Sequence, residues 1–166
     1  MGGSSSSLQK LPENDTRIFL DGKHDKLPYK IPKKNKLHII NANGSEIKKL
    51  PLNLQYLVSL DLTFCGYESV PIKIAQAIET YPTLDTLSLS FNKLSSVPEA
   101  ILTKKSISRL ELIDNKITQF DGSRMNLKHL DISQNRLTEF PTINEGIVSI
   151  SIEYNMIEEV VIDVLS

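Results

Sequence analysis

The sequence predicts an α/β solenoid, with a curved parallel β-sheet along the concave side and irregular, 3₁₀ or short helical connections along the convex side. Three observations predict it. Residues 84 to 98 read LDTLSLSFNKLSSVP and residues 127 to 141 read LKHLDISQNRLTEFP, which is one apolar frame, interrupted by one polar slot, written twice. The same frame recurs elsewhere, so that six units start at Leu37, Leu57, Leu84, Ile107, Leu127 and Ile147. Steps of 20, 27, 23, 20 and 20 residues between starts leave the strand side regular and put the variation on the outer side, where insertions are tolerated.

Each unit has five apolar slots. They are Leu37, Ile40, Ala42, Ile47 and Leu50, then Leu57, Leu60, Leu62, Tyr67 and Val70, then Leu84, Leu87, Leu89, Leu94 and Val97. The later units give Ile107, Leu110, Leu112, Ile117 and Phe120, then Leu127, Leu130, Ile132, Leu137 and Phe140, then Ile147, Ile150, Ile152, Ile157 and Val160. With 40% hydrophobic residues overall, all these slots being apolar by chance has a probability on the order of 10⁻¹². Alternation at the second and third slots turns two side chains to one face of a short strand and the residue between them to the other. No unit can enclose its own apolar side, so neighbours must stack.

The polar slot after the strand holds Ser45, Cys65, Asn92, Asn115, Asn135 and Asn155. An inward amide there supplies donors and an acceptor to backbone groups at a buried bend, so a ladder of asparagines is expected, with Ser45 its weakest rung and Cys65 structural. Pro51, Pro71, Pro98 and Pro141 close the lower turn. In the longest unit, Ile72, Ile74, Ala75 and Ile78 are spaced like one face of a helix, and EAILTKK after Pro98 suits a single helical turn. The 20-residue units have room only for extended or 3₁₀ connections.

Three segments are expected: a flexible stretch over 1–16, a degenerate basic cap over 17–36, and the six repeats over 37–166. Ile18, Phe19 and Leu20 are expected to line the cap, and the apolar tail of Val161, Ile162, Val164 and Leu165 fits either an unusual cap or a chain that continues. The opening MGGSSS matches M-G-x-x-x-S, which makes Gly2 a candidate for N-myristoylation. One acyl chain anchors only marginally, and the second signal would be Lys23, Lys26, Lys30, Lys33, Lys34 and Lys36, opposed by Asp25. An anionic inner-leaflet surface is the partner this pattern implies.

Composition narrows the function. Net charge is −1, without the basic excess a nucleic-acid binder uses, so no nucleic acid is expected. The first ten residues hold no apolar run and there is one cysteine, which reads as a cytoplasmic chain whose Asn14 and Asn43 acceptor triplets stay unglycosylated. His24, His38 and His129 stand in separate contexts, and no nucleophile elbow, zinc motif or phosphate loop is present, so neither catalysis nor a cofactor is expected.

The frame LxxLxLxxNxL, followed three residues on by an apolar residue and proline, resembles the intracellular leucine-rich-repeat proteins over residues 37–161. Its units are similar to those of Ras-associated and phosphatase-associated repeat scaffolds, and depart from them in the short units, in Ala42 and Ser45, and in lacking a recognisable C-terminal cap. The resemblance implies a non-catalytic scaffold of intracellular signalling, binding a small GTPase, a phosphatase or another signalling protein on the concave face. The alternative it implies is the recognition arm of a larger signalling enzyme, such as a metal-dependent protein phosphatase of the 2C class or an adenylyl cyclase. On that face the outward residues run Asn41, Asp61, Ser88, Glu111, Asp131 and Ser151, with Arg109 and His129 to one side. Phe64, Phe91 and Tyr154, just before the polar slot, are candidate aromatic anchors.

Overall fold

The computed structural model describes residues 9–158 apart from 13, 21, 23 and 28. Eleven strands and two helices follow in order: β1 (Gln9–Lys10), β2 (Arg17–Phe19), β3 (Tyr29–Lys30), β4 (Ile39–Asn41), β5 (Ser59–Asp61), α1 (Ile72–Thr80), β6 (Thr86–Ser88), α2 (Glu99–Leu102), β7 (Arg109–Glu111), β8 (Asp121–Gly122), β9 (His129–Asp131), β10 (Thr142–Ile143) and β11 (Ser149–Ser151). Seven of these form one parallel sheet in the order β2, β4, β5, β6, β7, β9, β11. Chain order and spatial order coincide, as a solenoid requires. The register pairs Ile18, Ile40, Leu60, Leu87, Leu110, Leu130 and Ile150 in one row, so every repeat contributes the same slot to the core.

All five slots of the first four repeats are buried, and so are those of the fifth except Phe140, which is 48% exposed. In the last repeat Ile147, Ile150, Ile152 and Ile157 pack against the core but are only partly buried, and Val160 lies outside the described residues, as do Val161, Ile162, Val164 and Leu165. The difference is one of neighbours, since a slot is enclosed only by the turns on both sides of it.

Upstream, the degenerate unit supplies a full strand. β2 pairs with β4, and Ile18 and Leu20 are buried with Leu11 and Leu27. Phe19 corrects the expected cap lining: it alternates outward between them, is 62% exposed, and opens the same column of the display face as Asn41 and Asp61. Strands β1 and β3 form a separate parallel pair.

On the outer side α1 spans the expected segment. Ile74, Ala75, Ala77 and Ile78 face inward, whereas Ile72, in the first turn, is 69% exposed and is not part of the buried face. The helix ends where Tyr81 takes an extended backbone, and the Tyr81 hydroxyl donates to Pro51 O of the preceding turn. EAIL forms α2, and the short repeats run extended through β8 and β10, which pair in parallel.

All six polar slots form rungs between successive turns, and the four asparagines repeat one pattern. Asn92 accepts from Tyr67 N and donates to Leu62 O and Leu89 O; Asn115 accepts from Leu94 N and donates to Leu89 O and Leu112 O. Asn135 and Asn155 do the same with Ile117 N and Leu137 N, and with Leu112 O and Ile132 O. Each amide thus satisfies buried backbone groups of two turns at once. At Cys65 the thiol donates weakly to Ala42 O at 3.5 Å, and burial pushes its pKa up to about 11, which keeps it a neutral, unreactive thiol. Ser45 donates to Gly22 O of the cap unit.

Candidate functional site: the open face of the sheet

Between the buried slots, outward side chains stand in columns that the strand register aligns. The first strand position carries Arg17, Ile39, Ser59, Thr86, Arg109, His129 and Ser149; the third carries Phe19, Asn41, Asp61, Ser88, Glu111, Asp131 and Ser151. Arg109, Glu111, His129 and Asp131 are brought together with Ser149 and Ser151 around a shallow depression of about 110 Å³. His129 Nδ1 lies 2.8 Å from Ser149 Oγ.

Two of the carboxylates have a structural task that the sequence pattern did not announce. Asp61 Oδ1 accepts from Thr63 N and Asp131 Oδ1 from Ser133 N, each closing the bend two residues after the strand, while Asp61 Oδ2 accepts from Asn41 Nδ2. Local side-chain acceptors of this kind hold the chain as it leaves the sheet. Glu111 makes no such bond among the described residues, which leaves its carboxylate available to a partner. Ser88 is buried, its hydroxyl 2.9 Å from Thr63 Oγ1 and 3.4 Å from Ser90 Oγ, so it belongs to a hydroxyl chain under the face as much as to the face itself.

Phe64 and Phe91 lie side by side on successive turns, their rings stacked with centroids 4.6 Å apart and planes 16° from parallel. Tyr154 is 83% exposed at the same repeat position but is separated from them by Asp114 and Gln134. The three aromatics are therefore a pair and a single, not one patch.

The lysines of the basic cap that can be described, Lys26, Lys30, Lys33, Lys34 and Lys36, are all exposed; Lys23 and Gly2 lie outside the described residues. Lys26 and Lys49 also flank a groove of about 520 Å³ lined by Leu27, Tyr29, Leu50, Pro51 and Leu52, which sequence reading missed because its walls come from two turns some twenty residues apart. Among the described residues no group of three or more His, Cys, Asp or Glu side chains could hold a metal ion, and no helix is long and apolar enough to cross a membrane.

The repeat and the fold define a leucine-rich-repeat solenoid, a fold that typically serves as a non-catalytic protein-binding domain. The family model described as Leucine Rich Repeat matches residues 126–145. The chain is 28% identical over 119 residues to adenylate cyclase of Schizosaccharomyces pombe, covering 68% of this chain and 7% of that one. It is 27% identical over 142 residues to human leucine-rich repeats and immunoglobulin-like domains protein 2 (81% of this chain, 13% of the relative) and 27% over 170 residues to mouse lumican (96% and 46%). It therefore spans less than half the length of each of these relatives. Among solved structures, the functional domain of InlJ from Listeria monocytogenes superimposes with a TM-score of 0.59 at 21% identity, over 92% of this chain and 38% of that one.

Proposed function

We propose that this chain is a protein-interaction scaffold of intracellular signalling, engaging its partner on the open face of the sheet around Asp61, Ser88, Arg109, Glu111, His129 and Asp131. The observation that carries the reading is the convergence of Arg109, Glu111, His129 and Asp131 on one depression of an otherwise regular face. By analogy with repeat scaffolds, the partner is a small GTPase, a phosphatase or another signalling protein. The test replaces Asp61→Asn, Glu111→Gln and Asp131→Asn together, because the amides keep the oxygens that close the two bends while removing the charge. Proximity labelling in cells should lose its strongest specific partner from the triple variant with circular dichroism unchanged; retention of every partner would remove the face from consideration.

The same proposal places the scaffold at the inner leaflet, through a myristoyl group on Gly2 and the exposed lysines of the cap. Two or three lysines engaged with anionic lipid, at about 1 kcal/mol each, would raise affinity roughly 30- to 150-fold over the acyl chain alone. Co-expression with an N-myristoyltransferase should add the mass of one acyl group at Gly2, and no mass gain ends the membrane reading. A second reading, the recognition arm of a larger signalling enzyme, is favoured by the likeness to a segment amounting to 7% of an adenylate cyclase. Sequencing the transcript beyond the codon for Ser166 decides it.

A further inference from the structure

Three residues past the end of each strand of the large sheet from β4 onward, the backbone turns left-handed. Phe64, Phe91, Asp114, Gln134 and Tyr154 have φ between 51° and 58°, and Gly44 occupies the same place in the first repeat with φ 72°. Their amides form a continuous ladder: Gly44 N donates to Thr63 O, Phe64 N to Ser90 O, Phe91 N to Ile113 O, Asp114 N to Ser133 O and Gln134 N to Glu153 O. Successive members are thus one strand spacing apart, roughly 4.8 Å, which is why two of them stack as rings. Phe91 is half-buried, with Phe64 on one side and Asp114 on the other in the column; Phe64 is 56% exposed, and its other neighbour is Gly44. A Cβ built on Gly44 would meet nothing within 4 Å. The column therefore holds a slot, one spacing beyond Phe64, where the stack stops because the next residue has no side chain.

Charge decides what fits it. From the third strand position to the left-handed one, the described face carries Asp61, Glu111, Asp131, Glu153 and Asp114 and not one lysine or arginine; Arg17, Arg109 and Lys128 stand nearer the strand starts, and Lys93, Lys116 and Arg136 two residues past the left-handed position, where the Gly44 repeat carries Glu46 instead. An anionic or phosphate-bearing group would be repelled there. A flat cation that stacks on an aromatic face is the guanidinium of arginine, whereas the ammonium of lysine is compact and more strongly hydrated.

We propose that the slot over Gly44, beside the open side of Phe64, is an arginine-binding site for a basic loop or extended segment of the partner protein. This rests on the reading that the partner lies on the sheet face, and it names the chemistry by which that partner is chosen. The guanidinium becomes the third layer of the Phe91–Phe64 stack, and the carboxylates draw the basic segment in without needing to touch it.

The test uses the 166-residue chain and two labelled probes of equal charge, hexa-arginine and hexa-lysine, with affinity followed by fluorescence anisotropy at fixed salt. Hexa-arginine should bind about five-fold more tightly than hexa-lysine. Phe64→Leu, which keeps an apolar side chain without a ring, should erase that preference. Gly44→Asn, which fills the slot with the side chain that best tolerates left-handed backbone, should erase it too, with the charge of the face intact. The Asp61→Asn, Glu111→Gln, Asp131→Asn variant should weaken both probes together. Equal binding of the two probes by the unsubstituted chain, or a preference that survives both Phe64→Leu and Gly44→Asn, overturns the site. If, in addition, the triple charge variant still loses its cellular partner, the face-binding reading stands without it.

Discussion

The first two rungs and the last four stand at the same repeat position but bond differently. From Asn92 onward each polar slot both donates to and accepts from the preceding turn, so the amide N–H of Tyr67, Leu94, Ile117 and Leu137 each ends on an asparagine oxygen. At Cys65 and Ser45 the donor bond is present, Cys65 reaching Ala42 O and Ser45 reaching Gly22 O, but among the described residues no bond runs from Ile47 N to Cys65 as Tyr67 N runs to Asn92. The earlier half of the stack leans on other ties, with the Tyr67 hydroxyl donating to Ile47 O and the Tyr81 hydroxyl to Pro51 O. The lesson is that repetition of the frame sets the geometry, while the chemistry of one slot sets how tightly consecutive turns are joined.

The largest effect that would test this contrast is at a complete rung. Asn115→Ala leaves Leu94 N without its acceptor, while Leu89 O and Leu112 O each keep a bond from a neighbouring asparagine. One buried N–H stranded, with the packing of the amide lost, should cost about 2–3 kcal/mol. A lowered urea midpoint with an unchanged slope would register it. Cys65→Ala strands no such donor and should cost distinctly less; equal losses at the two rungs would mean that the acceptor bond is not what distinguishes the halves.

Next in size is the response to alkali of the buried thiol and phenol hydroxyls, which stand in the earlier half. Burial raises the Cys65 thiol from its ordinary 9.0 to about 11, so the folded chain keeps this proton to a higher pH than the unfolded one. Its contribution is therefore complete below pH 9 and is lost as pH climbs through 9 to 11, with a slope of at most about 1.4 kcal/mol per pH unit. The Tyr67 and Tyr81 hydroxyls, also raised by burial, extend the loss in the same direction. The asparagine rungs hold nothing that titrates. Urea midpoints across this range should fall less steeply for Cys65→Ala than for the unsubstituted chain, and an identical pH profile for the two would show that the thiol does not contribute.

Much of this organisation was legible in the sequence because slot spacing is a one-dimensional property. Ile40, Leu60, Leu87, Leu110 and Leu130 could be read as one row, and Asn92, Asn115, Asn135 and Asn155 as one ladder, before any coordinates. What escaped reading depended on a second turn. Phe19 reads as inward in the sequence because the degenerate unit RIFLDG lacks the frame that fixes register, yet β2 pairs with β4 and turns it out. Ile72 is grouped by spacing with Ile74, Ala75 and Ile78, but at 3.6 residues per turn it stands about 140° round α1 from the centre of the buried face and points outward. The structural bonds of Asp61 and Asp131, and the stack of Phe64 on Phe91 beside a bare Gly44, arise from how neighbouring residues fold back or line up, which spacing alone does not encode.

The smallest effect tests the comparison from the opposite direction, by converting a weak rung into a complete one. Cys65→Asn would place an amide where the thiol now stands, with its nitrogen able to donate to Ala42 O as the sulfur does and its oxygen within the pattern that accepts Ile47 N. If the acceptor bond is what the earlier half lacks, the substitution should stabilise the chain by about 1 kcal/mol, the net worth of one added hydrogen bond, seen as a raised urea midpoint. The site is tight, since Cys65 is 1% exposed and lies next to Tyr67, so an overpacked amide would instead lower the midpoint. Cys65→Ser separates the two cases. It is no larger than cysteine and can donate to Ala42 O, so a loss for asparagine alone points to crowding, while a gain for asparagine alone assigns the difference between the halves to the acceptor.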